Sequence, residues 1–320
     1  MPELPEVETV RRMLASHVTG RVVQNARVSG AKLRGAVPRT LPLKLRGRRI
    51  LDVRRHGKYL LLDFDGGLTL LSHLGMSGRW LFYPEPDRRS PNRPDETMKH
   101  VHARFVFADG SQLWFQDPRR FGLLRVVPRD RLARDPSLAL LGPDPVAEPP
   151  TGAALVASAR GAKVAVKNFL IDQRRIAGVG NIYASEILFR AGIDPRRRAG
   201  ALALAEWDRV ARETVAVLNE AIARFGTTFS AYRTLWNEPG TYGEKLFVYD
   251  RAAEPCRRCG TPIRRIVQGA RSTFFCPSCQ SRAASLRMRA ASRGRPQNRG
   301  QRSAKRGIQR RVRRPLTATS

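Results

Sequence analysis

The chain has 320 residues, with 59 Lys and Arg against 27 Asp and Glu, a formal net charge of +32. Residues 281–320 hold 13 of the basic residues and no acid, which leaves 46 basic against 27 acidic residues, a net +19, on residues 1–280. So lopsided a body points to a polyanionic partner, most simply nucleic acid. No stretch looks like a signal peptide or a span of about 20 apolar residues, and the four cysteines fall late, in two pairs. A secreted disulfide framework and a membrane protein are therefore not expected; the composition fits a cytoplasmic, nucleoid-associated protein of two domains plus smaller modules.

The chain opens Met1-Pro2-Glu3-Leu4-Pro5-Glu6. Removal of Met1 would leave the secondary amine of Pro2 as the N-terminus, and a neutral amine can form a Schiff base with an aldehyde-like carbon. Glu3 could carry the proton such an attack requires. Pro5 suits the first turn of a helix with Glu6 and Glu8 at its positive end. Val7, Val10, Leu14 and Val18 follow at helical spacing, and Gly20 can close the segment. Such a helix would fix the amine and favour its uncharged form, although a plain N-terminal helix with a proline start reads the same way.

Short β-rich runs come next, at 21–28, 49–54, 59–64, 68–71, 79–83, 102–107, 112–115 and 123–127, with turns such as Asp65-Gly66-Gly67 and Asp109-Gly110 between some of them. Eight strands with little helix between them predict an antiparallel sandwich. Lys58 stands at the mouth of one strand. His73 and Met76 flank a glycine-rich bend, and Asp117-Pro118-Arg119-Arg120-Phe121-Gly122 breaks the strand pattern with arginines beside an aromatic. An apolar wedge, an aromatic wedge and a cation suit a protein that pushes a base out of a duplex.

Residues 143–152, rich in proline and polar groups, read as a domain linker. Beyond it, 163–172, 182–191 and 204–225 read as helices. Between the first two lies Gly178-Val179-Gly180-Asn181, where Asn181 could cap a helix and the glycines could admit a phosphate. Cys256-x-x-Cys259 and Cys276-x-x-Cys279 have 16 residues between them, the spacing of a closed four-thiolate zinc site, hence one structural Zn2+. A redox pair would need only two of them. Residues 263–275 would form a hairpin between the pairs, its folding resting on metal binding worth about 10–16 kcal/mol in comparable peptides. From 281 the chain is basic and poor in large apolar residues, which predicts disorder and an arm for DNA, with RNA or the ribosome as the competing partner.

Four separated motifs, the opening MPELPEVETVRR, Gly57-Lys58-Tyr59 with its leucines, GVGNIYASEILFRAGI at 178–193 and the cysteine pairs, resemble the formamidopyrimidine-DNA glycosylase family over about residues 1–281. Leu4 is more similar to that branch than to its endonuclease VIII relatives. The resemblance implies an α+β multidomain fold: an N-terminal antiparallel β-sandwich with an N-terminal helix (1–143), a helix-two-turns-helix domain with a lesion-capping loop (144–250), a four-cysteine zinc-finger hairpin (251–281) and a tail (282–320). It implies a bifunctional enzyme that excises oxidised purines and nicks the strand by β,δ-elimination, with Pro2 as nucleophile, Glu3 as acid/base, and Lys58 and Arg271 on phosphates. It assigns Met76, Arg119 and Phe121 to filling the hole in the duplex, and Lys167 and Asn181 to the DNA backbone. His73, His100 and His102 are further candidate phosphate contacts. The implied partner is double-stranded DNA containing oxidised bases or abasic sites, bound by a monomer. Residues 237–242 and 248–251 depart from the family pattern, which bears on lesion choice. An endonuclease VIII-like glycosylase for oxidised pyrimidines and a non-catalytic binder of damaged DNA are the alternatives.

Overall fold

The computed structural model describes residues 1–84, 95–228 and 232–280; the basic tail 282–320, and the expectations attached to it, lie outside the described residues. Helix α1 runs Leu4–Val18, one residue earlier than the proline suggests, because the Glu3 amide donates to Glu6 Oε2 at 2.8 Å and starts the helix. Its Val7, Val10, Leu14 and Val18 are each at most 1% exposed. All eight expected strands form: β1 (Val23–Val28), β2 (Ile50–His56), β3 (Tyr59–Phe64), β4 (Leu68–His73), β5 (Arg79–Tyr83), β6 (Val101–Phe107), β7 (Gln112–Gln116) and β8 (Leu123–Pro128). They make two four-stranded antiparallel sheets, ordered β1-β6-β7-β5 and β2-β3-β4-β8. Apolar side chains from both sheets and from α1 fill the space between.

Strand β3 explains its own unbroken Tyr-Leu-Leu-Leu run. Leu60, Leu62 and Phe64 face the sandwich core, while Tyr59 and Leu61 pack outward beneath Leu132, Leu138 and Leu141. A strand covered on both faces has no need to alternate.

Among the described residues, two α-helices were not expected. Helix α2 (Leu41–Leu45) is too short to show a period, and α3 (Gly152–Ala159) follows directly on Pro149-Pro150, whose turn signal hides Thr151 as its cap. The predicted linker is correspondingly more ordered than a tether. Its Asp144 is buried and pairs with Arg55, which also bonds Glu8 of α1. Burial alone would raise the Glu8 pKa, but hydrogen bonds from Arg11, Arg12 and Arg55 outweigh it and hold the carboxyl at about 2.

Helices α4 (Val166–Ile171), α5 (Asn181–Arg190) and α6 (Leu204–Ala223) follow the three predicted segments with trimmed ends. From Ile182 to Phe189, α5 is buried throughout. Its Glu186 accepts the amides of Phe247, Val248 and Tyr249 at 2.8, 2.9 and 2.8 Å, which ties the chain entering the finger to the helical core. Strands β9 (Arg264–Gln268) and β10 (Arg271–Phe275) form the expected hairpin, joined by a tight turn at Gly269 and Ala270. Among the described residues, no helix is long and apolar enough to cross a membrane.

Candidate active site

The two most informative sequence motifs meet in space. Glu3 is 3% exposed, and its carboxylate accepts the amides of Ile182 at 3.0 Å and Tyr183 at 3.4 Å. These belong to the first turn of α5, whose amides have no partner within the helix. The glycines before α5 permit this approach. A Cβ on Gly180 would lie 2.3 Å from Glu3 Cδ, and one on Gly178, at φ +93°, would lie 2.6 Å from the Leu4 side chain. The Leu4 amide donates to Gly178 O at 3.1 Å, so the opening segment lies against the turn between α4 and α5. Asn181 is the first residue of α5 rather than its cap; Gly180 holds the cap position.

Pro2 is buried, and Met1 lines a cavity of about 320 Å³ together with Arg34, Lys58, His73, Gly180 and Arg271. Removal of Met1 would open the Pro2 amine onto this space. Lys58 is 6% exposed and donates weakly to Val179 O at 3.4 Å. Burial pulls its pKa down, the Glu3 carboxylate opposes that, and the Arg271 cation adds to it. His73 is pulled down to about 3, first by burial and then by Lys58 and Arg34. Its Nδ1 accepts the Gly75 amide at 2.9 Å, so the neutral ring carries its proton on Nε2, as a donor.

Lys167 and Asn181 both grip β10 beside Arg271. Lys167 Nζ donates to Ser272 O at 3.0 Å and Thr273 Oγ1 at 2.7 Å, and Asn181 Nδ2 donates to Ser272 O at 3.0 Å. Burial, aided by Arg271, lowers the Lys167 pKa to about 8. The structure thus gives Lys167 a job the sequence did not suggest, holding the hairpin that carries Arg271. Asn181 Oδ1 is buried without a partner among the described residues, and Arg271 itself is exposed.

Met76, Arg119 and Phe121 lie on two adjoining loops and are all exposed, with the Arg119 guanidinium 5.1 Å from the Phe121 ring centre. The loops touch so closely that a Cβ on Gly75 would stand 2.4 Å from the Phe121 carbonyl carbon. Asp117, wholly buried, clamps them by accepting Ser77 Oγ at 2.6 Å and the Gly122 amide at 2.7 Å. His100 is exposed beside this region. His102 is not available to DNA, because it is buried with its ring nitrogens on Ser29 Oγ and Asp117 O.

Sequence reasoning missed Glu6. It is fully buried, accepts from Glu3 N, from Tyr183 OH and from Thr227 N, and its pKa is raised by burial and by the charge of Glu3. Three elements distant in sequence meet at this carboxyl, and no local pattern could announce that.

The four cysteine sulfurs lie within 4.8 Å of one another, with Cys256 to Cys279 at 3.9 Å and Cys259 to Cys276 at 3.5 Å. A zinc–sulfur bond of about 2.3 Å in tetrahedral geometry requires sulfurs about 3.8 Å apart, so the cluster fits one zinc with a closed sphere. Such a zinc would hold the hairpin rather than act on substrate.

A paired-sheet sandwich opened by a buried Pro-Glu, joined to a helical domain and a four-cysteine hairpin, is the architecture of a DNA glycosylase. Family models agree across the chain: the formamidopyrimidine-DNA glycosylase N-terminal domain matches residues 1–124, its H2TH domain 141–233, and the zinc finger found in FPG and IleRS 253–282. The formamidopyrimidine-DNA glycosylase of Methylococcus capsulatus is 47% identical over 280 residues, 88% of this chain and 100% of the relative. The crystal structure of the MutM (FPG) protein of Thermus thermophilus matches with a TM-score of 0.75 at 40% identity, over 87% of this chain and 98% of that one. The Lactococcus lactis FPG in complex with Fapy-dG-containing DNA matches with a TM-score of 0.77 at 29% identity, over 88% and 100%. The chain belongs to the formamidopyrimidine-DNA glycosylase family.

Proposed function

We propose that this protein excises oxidised purines, 8-oxoguanine and formamidopyrimidines, from duplex DNA and cuts the strand at the resulting abasic site, with Pro2 as nucleophile. The enzyme class follows from the family, a glycosylase and abasic-site lyase of base-excision repair; the roles of individual residues are our reading. The Pro2 nitrogen attacks C1′ of the damaged nucleotide, the base leaves with its bonding electrons and takes up the proton shed by the attacking amine, and Glu3, protonated, gives its proton to the ring oxygen as the sugar opens. The nitrogen and C1′ then form an iminium. Loss of a C2′ proton expels the 3′ phosphate, a second elimination expels the 5′ phosphate, and water releases the sugar fragment.

The observation that carries this reading is the position of Glu3, bound to the Ile182 and Tyr183 amides and set against Gly180, which lines a cavity together with Met1, Lys58 and Arg271. Proton transfer needs a held carboxyl beside the amine, and two cations can take the flanking phosphates. Met76, Arg119 and Phe121 fill the place of the extruded base, His73, His100 and Asn181 contact the backbone, and Lys167 acts there through the hairpin. We place the protein in the cytoplasm at the nucleoid, acting as a monomer.

Borohydride trapping tests the mechanism. A lesion duplex should yield a covalent adduct that maps to a peptide beginning at Pro2. Residues added ahead of Pro2 should abolish it, and Glu3→Gln should lose base excision while keeping some cleavage at a preformed abasic site. An adduct on a lysine would reject the nucleophile. A side-by-side assay in which thymine glycol outruns 8-oxoguanine opposite cytosine would instead favour the endonuclease VIII-like reading.

A further inference from the structure

Residues 232–238 stand between the helical core and the zinc finger in sequence, yet they pack on the N-terminal sandwich. Tyr232 and Leu235, 7% and 1% exposed, are part of its core together with Val7 and Val10 of α1. The Trp236 ring meets His17 of α1 edge-on at 4.9 Å and Phe82 of β5 at 5.9 Å, and Asn237 Oδ1 accepts from Arg79 of β5. The strap is closed on itself, with the Thr234 amide on Glu238 O at 2.8 Å and the Asn237 amide on Thr234 O at 3.0 Å. It therefore docks as a formed unit.

Its far side leads to the catalytic end of the chain. The Tyr232 hydroxyl donates to Glu6 O at 3.4 Å, and the Thr227 amide, at the foot of the same segment, donates to Glu6 Oε1 at 2.7 Å. Glu6 Oε2 accepts the Glu3 amide at 2.8 Å, and that nitrogen belongs to the peptide bond from Pro2. A continuous set of contacts thus runs from Trp236, through the strap and Glu6, to the Pro2–Glu3 peptide.

We propose that Trp236 is a positioning residue: it fastens the strap to α1 and β5 and so keeps Glu6, and through it Pro2 and Glu3, in reacting register. The inference rests on the reading of Pro2 as nucleophile. Trp80, Trp114 and Trp207 are at most 1% exposed, whereas Trp236 is 36% exposed, which marks it as a surface fastening and not a core filler. Because the contacts from the strap end at the Pro2–Glu3 peptide and not at a bound base, both chemical steps should depend on it.

Single-turnover borohydride trapping at saturating enzyme would be compared on an 8-oxoguanine duplex and on a preformed abasic duplex. Trp236→Ala should slow adduct formation on both by a similar factor, about tenfold, the rate equivalent of an aromatic pair and its buried area. Affinity for the duplex should be unchanged, and Trp236→Phe should restore most of the rate. His17→Ala leaves the strap sequence intact and removes its partner, so it serves if Trp236→Ala fails to fold. It should slow both substrates, and the double variant should be no slower than the worse single one. Unchanged rates, or slowing confined to the lesion duplex, would overturn the proposal. Failure of the unaltered enzyme to form any adduct at Pro2 would instead overturn the mechanism it rests on.

Discussion

His73 shows how a single side chain can be read in two ways. Its position after an apolar strand suggests a phosphate contact, and the structure adds that it is buried, with Nδ1 on the Gly75 amide. Its pKa falls from 6.5 to about 3 on folding, so between those values the unfolded chain binds the extra proton. The contribution to stability is therefore complete above pH 6.5 and is lost as pH falls towards 3. His73→Gln should flatten the acid limb of a urea-midpoint against pH curve in that window by up to a few kcal/mol; an unaltered limb would show the ring is solvated. Pro2, Glu3, Lys58 and the cysteines could be singled out as candidates from sequence because each sits in a contiguous motif. Glu6 and Asp117 could not be, since the first gathers amides and a hydroxyl from residues 3, 183 and 227, and the second clamps residues 77 and 122.

The elements that could be read were those with a clear period or a fixed spacing: eight strands, helices α1, α4, α5 and α6, and the cysteine pairs. Helix α2 spans five residues and α3 is masked by the prolines before it, so neither could compete with turn signals. The zinc hairpin carries a prediction of its own scale. The hairpin that carries Arg271 is held near its tip by Lys167 and Asn181, which both donate to the Ser272 carbonyl, and its base carries the four clustered cysteines. Cys276→Ser should release zinc and abolish binding of a lesion duplex, while the near-ultraviolet signal of Trp80 and Trp114 in the sandwich persists. Tight binding by a zinc-free protein would refute it. The paired wedge loops make a second prediction. In the proposed function, Met76→Ala, Arg119→Ala and Phe121→Ala would each remove a group that stabilises an extrahelical base, a state costing a few kcal/mol. Excision from a lesion duplex should suffer more than cleavage at an abasic site; equal loss on both would mean that these residues only support the fold.

At the scale of the whole molecule, charge decides the partner before chemistry does. Residues 1–280 carry a net +19, and the cavity gathers Arg34, Lys58 and Arg271 where a phosphate backbone would pass. Residues 281–320 add 13 cations and no acid, with no motif of the catalytic kind. Their contribution to binding should thus be electrostatic, through counterion release, and their contribution to the chemical step nil. Truncation after Gln280 separates these two. Single-turnover cleavage at saturating enzyme should be nearly unchanged, since the enzyme is already bound. Non-specific duplex affinity should fall, and the slope of log K against log salt should flatten by about 0.9 for each phosphate contact removed. Titration of an undamaged duplex across a range of salt concentrations measures that slope directly. If it does not change, the arm does not touch duplex DNA, and the same titration with RNA becomes the one to read.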